Sequence, residues 1–153
     1  MDISFRKIDK TNYEACVLLK VAEEQKHFVA SNAYSLVQAA YEDNLYPLSI
    51  YDGEEMIGFI LYDYDDELNG WSFSRFMIGI KHQNKGYGAK ALEKFLEFFH
   101  TEYPEESLYT SAETDNDVAI GLYEKFGFER KNIFSYTIGD DTYTEIRMQK
   151  TQW

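Results

Sequence analysis

Between Gln83 and Gly88 the chain reads Gln83-Asn84-Lys85-Gly86-Tyr87-Gly88, a turn between an apolar, strand-like run (Trp71 to Ile80) and an amphipathic helical pattern (Ala89 to His100). Two glycines let backbone N–H groups crowd around an anion, and the helix that follows directs its positive end at the same point. Lys85 and Lys90 add formal charge beside it. The chemistry this arrangement suits is the grip of a phosphate.

The elements that must position such a turn follow from the hydrophobic pattern. Ile3 to Lys7 alternates as a short strand, and Thr11-x-x-Glu14 predicts a capping box opening a helix through Leu19. Asn32 is expected to start a second helix, Ala33 to Glu42. Pro47 to Tyr51 and Met56 to Tyr62 form strands around the hairpin signal Asp52-Gly53. The acidic segment Asp63 to Gly70 leads to the strand from Trp71; beyond the helix ending at His100 come a strand (Ser107 to Ala112) and a helix (Val118 to Phe126) closed by Gly127. Phe134 to Ile138 and Thr142 to Met148 close as a hairpin. The order β-α-α-β-β-β-α-β-α-β-β predicts an α/β (α+β) fold: one mixed, mostly antiparallel sheet of six to seven strands flanked by about four helices.

A length of 153 residues suits one domain, taken as residues 1–150. No stretch approaches the roughly 20 apolar residues that cross a bilayer, so a soluble, cytoplasmic protein without a membrane partner is expected. The net charge of −12 argues against nucleic acid as a partner. Its distribution says more: Arg75 to Lys94 holds five Lys or Arg against Glu93 alone, whereas Tyr41 to Ser74 holds nine acids and no Lys or Arg. Such a chain can draw an anionic ligand to one region and a cationic one to another. Cys16, the only cysteine, sits in a helical apolar pattern and reads as a buried structural thiol. His27, His82 and His100 lack ligand spacing, so no metal site is expected.

Which anion does the turn hold? Gly86 to Ala91 fits the loose dinucleotide pattern G-x-G-x-x-A, but that fingerprint places its first glycine directly after the strand, and several polar residues intervene here. No G-x-x-x-x-G-K-[ST] pattern occurs. The remaining reading of Q-x-x-G-x-G between strand and helix is a coenzyme A pyrophosphate site.

Here the chain resembles the GNAT (Gcn5-related) N-acetyltransferases over essentially its whole length. Gln83 to Gly88 corresponds to that family's R/Q-x-x-G-x-G/A acetyl-CoA turn, and Asn116 to Phe128 corresponds to its N-x-x-A-x-x-L-Y-x-x-x-G-F. Within the family, Val21 to Leu36 and Arg75 to Ile78 look most like the bacterial spermine/spermidine (diamine) acetyltransferases. The resemblance implies acetyl-CoA as cofactor and a small cationic amine as acceptor. It implies that the strand from Trp71 splays from the strand at Ser107, admitting the pantetheine arm beside Phe76, Met77 and Ile78, one of whose N–H groups would hold the developing oxyanion. Gln83, Asn84, Lys85, Gly86, Tyr87, Gly88 and Ala89 would wrap the pyrophosphate, with Asn116 on the arm and Lys125 toward a phosphate.

Tyr123 is the expected catalytic residue. Attack of an amine on a thioester expels a thiolate, and a phenol can donate the proton it needs. Many family members place a glutamate on the strand that here reads Trp71-Ser72-Phe73-Ser74-Arg75, which has no acid. Glu23 and Glu24 are the candidates for binding the amine or relaying its proton, beside a reading of both as solvated carboxylates. For a polyamine, acids interleaved with aromatics (Tyr62 to Glu67) and a cover carrying His27, Phe28 and Tyr34 would supply charge pairing and cation–π contact. Two alternatives remain: acetylation of another cation, such as an aminoglycoside or a peptide amine, and a non-catalytic acyl-CoA-binding module. Thirteen tyrosines and eleven phenylalanines exceed what one small core readily buries, which suits a homodimer.

Overall fold

A computed structural model describes residues 1–153. Its elements run β1 (Ile3–Lys7), α1 (Tyr13–Leu18), α2 (Asn32–Tyr41), β2 (Leu45–Asp52), β3 (Glu55–Asp65), β4 (Gly70–Ile78), α3 (Tyr87–Glu102), β5 (Leu108–Glu113), α4 (Asp117–Lys125), β6 (Glu129–Ile138) and β7 (Asp141–Lys150). One-turn 3-10 segments, Glu23–Gln25 and Ile80–His82, precede α2 and α3. This is the element order expected from the sequence. The strands form one seven-stranded sheet, β1-β2-β3-β4-β5-β7-β6, antiparallel except between β4 and β5. No helix is long and apolar enough to cross a membrane.

β3 is buried on both faces, which explains its nearly unbroken apolar run. On one face Ile60 and Tyr62 pack with Leu92, Phe95 and Phe99 of α3 in the main core. On the other, Phe59 and Leu61 meet Cys16, Met77 and the inner side of α1 and α2. Burial pushes the Cys16 thiol up to about 11, so it stays protonated and inert.

Two local expectations fail. Ser31, not Asn32, caps α2, its Oγ accepting from the Tyr34 N–H at 3.1 Å. Asn32 is buried inside the first turn, donating from Nδ2 to the Cys16 carbonyl at 2.9 Å. Nor does a Thr11–Glu14 capping box form: Thr11 Oγ1 donates to Asp9 Oδ1 at 2.6 Å, and Asn12 precedes the helix. An Asx-type turn has outcompeted the cap there.

The feature that matters for function lies mid-sheet. β4 and β5 pair only at Trp71↔Leu108 and Ser72↔Tyr109. The β3–β4 register runs Leu61↔Arg75, then Tyr62↔Phe73, leaving Ser74 as an extra residue that kinks β4. Beyond Ser72 the two strands part, as expected from the resemblance.

Candidate active site

The parted strands open a cavity of about 620 Å³, a size typical of small-molecule sites, walled by Phe73 to Ile78 of β4 and Thr110 to Ala112 of β5. Backbone groups on this stretch of β4 that face β5 have no sheet partner. One is satisfied by a side chain: Thr110 Oγ1 donates to the Phe73 carbonyl at 2.9 Å. The others stand along the cavity wall, where a buried backbone group calls for a ligand or water.

At one end of the cavity lies the glycine turn. Asn84 (φ 62°) and Gly86 (φ 86°) are left-handed. That geometry costs an ordinary L-residue about 1–2 kcal/mol. It reverses the chain so that α3 starts at Tyr87 with no side chain capping its first N–H groups. These free amides and the helix dipole suit an anion. Gln83 holds the turn in place, donating from Nε2 to the Ile78 carbonyl (2.9 Å) and exchanging amide hydrogen bonds with Gln25 (2.9 and 3.1 Å). Tyr87 anchors the other side through its hydroxyl to Asp52.

Gln83, Asn84, Gly86, Tyr87, Gly88 and Ala89 line the cavity, with Phe76, Met77, Ile78, Asn116, Tyr123 and Lys125. Lys85 does not; its Nζ donates to the Lys81 carbonyl at 3.1 Å. Lys90 is paired with Glu93 at 3.1 Å. The cations on the wall that form no ion pair are therefore Lys125 and, further in, Arg75. Asn116 caps α4, Oδ1 accepting from the Ala119 N–H at 3.2 Å, which leaves its amide hydrogens for a ligand.

Tyr123, on α4, sits where β4 and β5 diverge, 5% exposed and edge-on to Phe73 at 5.5 Å. Burial raises its phenol above the usual range, Glu145 adds to the rise, and the nearby Thr110 hydroxyl opposes it. A phenol so placed keeps its proton through neutral and mildly alkaline pH and can donate it.

The expected acceptor residues divide. Phe28 lines the cavity, and the His27 ring lies tilted against it with ring centroids 4.0 Å apart. His27 Nε2 also lies 3.3 Å from Asp115 Oδ2, joining the segment before α2 to the β5–α4 loop. Glu23 and Glu24 are exposed and do not line the cavity; Glu23 pairs with Lys26 at 2.7 Å. The acid-and-aromatic stretch at Tyr62 to Glu67 also lies off the cavity: Tyr62 is in the main core, and buried Asp63 accepts from Ser72 and Ser74 hydroxyls at 2.8 and 2.9 Å. Tyr34 is exposed.

A carboxylate does reach the cavity, from an element that carried no signal in the sequence. Glu145 of β7 lines the wall and is 7% exposed, accepting from Ser111 Oγ and the Tyr136 hydroxyl, each at 2.6 Å. Its only clue in sequence was an acid within the alternation of β7, which has the look of an ordinary solvent-facing position.

Uncapped helix amides at one end, an open strand edge beside them and a buried phenol further along the wall suit a long ligand with an anionic head. The model of the Acetyltransferase (GNAT) family matches residues 6–128, and the chain belongs to that family. The spermine/spermidine N(1)-acetyltransferase of Bacillus subtilis (strain 168) is 30% identical over 136 residues, covering 84% of this chain and 89% of that protein. Among solved structures, the spermidine N-acetyltransferase of Vibrio cholerae in complex with CoA and spermine superposes with a TM-score of 0.75 at 16% identity, covering 97% of this chain and 94% of that one. The ribosomal-protein-S18-alanine N-acetyltransferase of Escherichia coli gives 0.71 at 16% identity, covering 97% and 92%. The chain is thus a GNAT N-acetyltransferase that uses acetyl-CoA.

The wall chemistry fits that cofactor. Uncapped amides at Gly86 to Ala89 and the Lys125 ammonium suit its phosphates, and the partnerless edge of β4 suits an amide-bearing arm. When bound, acetyl-CoA supplies an acetyl thioester whose sulfur leaves as a thiolate.

Proposed function

We propose that this enzyme acetylates a primary amine of a polyamine of the spermidine or spermine class by direct attack, with both substrates bound together. The observation that carries the mechanism is the continuity of the cavity from the glycine turn past Tyr123 to Glu145. Cofactor and acceptor can meet within it. The single cysteine is buried in the α1–α2 core and does not line the cavity, so no thiol is available to carry the acetyl group between substrates. Tyr123 Oη would supply the proton the leaving sulfur needs, and one of the N–H groups of Phe76, Met77 and Ile78 would hold the carbonyl oxygen. Two supports favour a polyamine: the activity of the Bacillus relative and the carboxylate lining at the acceptor end.

A second reading, acetylation of a peptide amine, draws on Arg75. Its side chain lines the cavity and its buried Nε has no hydrogen-bond partner, which would suit an acceptor bearing a carboxylate. Thiol release measured with spermidine, spermine, an aminoglycoside, a peptide amine and an uncharged aromatic amine separates these. The polyamines are expected to turn over fastest, with a preference that weakens as salt rises. Equal rates on the uncharged amine would contradict the reading. We place the enzyme in the cytoplasm and infer a homodimer, supported by Tyr34, Val37 and Tyr41, exposed at helical spacing along α2. A monomeric mass in solution would remove that part.

A further inference from the structure

Building on the polyamine reading, we propose that Glu145, backed by Glu113 across the β5–β7 ladder, receives the acceptor's ammonium group and takes the proton its nitrogen must lose before attack. The first ground is a charge imbalance. Glu113 and Glu145 are directly opposite in the antiparallel register, so their side chains share a face, and they are only 8% and 7% exposed. Like charges so placed repel, and buried carboxylates are costly without a counter-ion. Neither forms an ion pair. Glu113 makes no hydrogen bond to another side chain, and its one backbone partner is the Thr144 amide.

The neighbouring cations pair with neither carboxylate. The Arg147 guanidinium lies over the Phe134 ring at 4.2 Å, and Arg75 donates to Gln38 Oε1 at 3.2 Å and to the Ser74 carbonyl at 3.3 Å. Burial and the Glu145 charge hold the Glu113 carboxyl above the usual range, with Asp115 adding to the rise and His27 opposing it. A pair this poorly compensated inside the protein is completed by a cation from outside.

The second ground is position. Glu145 lines the same cavity as Tyr123, close enough for its charge to raise the Tyr123 phenol. Hydroxyls of Ser111 and Tyr136 fix its orientation, and the Tyr136 and Tyr143 rings stack 5.2 Å apart beside it, offering a wall for methylenes. The groups facing the pair are thus Asp115, His27, Arg75, Tyr123, Tyr136 and Tyr143. With no acid on β4, the amine's proton needs another base. An ammonium N–H bond breaks as an O–H bond forms at a Glu145 oxygen, the nitrogen keeps the electron pair, and the carboxylic acid passes the proton to water.

Calorimetric titration of spermidine into native enzyme, Glu145→Gln and Glu113→Gln, with CoA titration alongside, tests this. Glu145→Gln is expected to weaken spermidine about 10-fold or more, as loss of a charge-assisted bond implies, with CoA affinity unchanged. Glu113→Gln is expected to weaken it by a smaller factor. The acid limb of the kcat/KM profile for spermidine should vanish in Glu145→Gln. Both variants binding spermidine like the native enzyme, or Glu145→Gln keeping the native pH profile, would overturn the assignment. So would a loss of CoA affinity parallel to that of spermidine, since this marks a structural role. A native enzyme that releases CoA with no cationic amine would instead sink the polyamine reading itself.

Discussion

The two ends of the cavity are built in opposite ways. At the cofactor end, residues within one stretch, Gln83 to Ala89, offer mostly backbone: left-handed Gly86, uncapped amides, and a helix dipole. At the acceptor end, single side chains from β5, β6, β7 and the segment before α2 converge, and what they offer is charge and aromatic surface. A backbone site depends on conformation and tolerates change in most side chains. A side-chain site depends on the register of distant strands and can be retuned one residue at a time. On the proposed reading the molecule has a fixed end that holds the cofactor and an adjustable end that selects the acceptor, with Tyr123 between them.

The largest effect that would probe this division is at the junction. Tyr123→Phe removes the proposed proton donor while keeping the ring packed on Phe73. Steady-state kinetics should show kcat reduced about 100-fold or more, the usual worth of a general acid, with CoA affinity intact. Full turnover in this variant would remove Tyr123 from the chemistry. Next is the fixed end. Gly86→Val forces a β-branched residue into φ 86°. The strain should weaken CoA binding about 10-fold by calorimetry, with little effect on spermidine.

Lys125→Ala should be milder, lowering CoA affinity by about threefold, and less at high salt, because an exposed charge is screened. A salt-independent loss would point to packing instead. The smallest effect sharpens the adjustable end. Since the Glu113 carboxyl is held above its usual range, its protonated form favours the fold, and stability is lost as pH rises through its folded value. Glu113→Gln lacks that loss. Thermal melts should show the variant more stable than the native enzyme at neutral pH by about 1 kcal/mol, roughly 2–4 °C, with the gap closing below the carboxylate range. A destabilised variant at pH 7 would mean that the buried pair has a partner after all.

The same division explains what could be read in the sequence. Element order and the glycine turn were legible because each rests on local pattern: hydrophobic period, paired glycines, and the Asn116 to Phe128 run with its left-handed Gly127. The splay of β4 from β5 followed from the family resemblance, while its cause, the extra residue Ser74, shows only in the register. Several expected acceptor residues lie off the cavity: Glu23 and Glu24 precede Phe28 but face solvent, and the acids after Tyr62 belong to β3 and its hairpin. Glu113 and Glu145 are 32 positions apart and meet only through antiparallel pairing. Nothing local distinguishes them from surface carboxylates. Asn32 shows the same limit on a smaller scale: a good capping residue by type, it serves the core because Ser31 precedes it.

Initial rates of thiol release over a matrix of acetyl-CoA and spermidine concentrations test the central claim most directly, that one continuous cavity brings the two together at Tyr123. Reciprocal plots should intersect, with no thiol released until both are present. Parallel lines, or thiol release from acetyl-CoA that does not depend on spermidine, would contradict it.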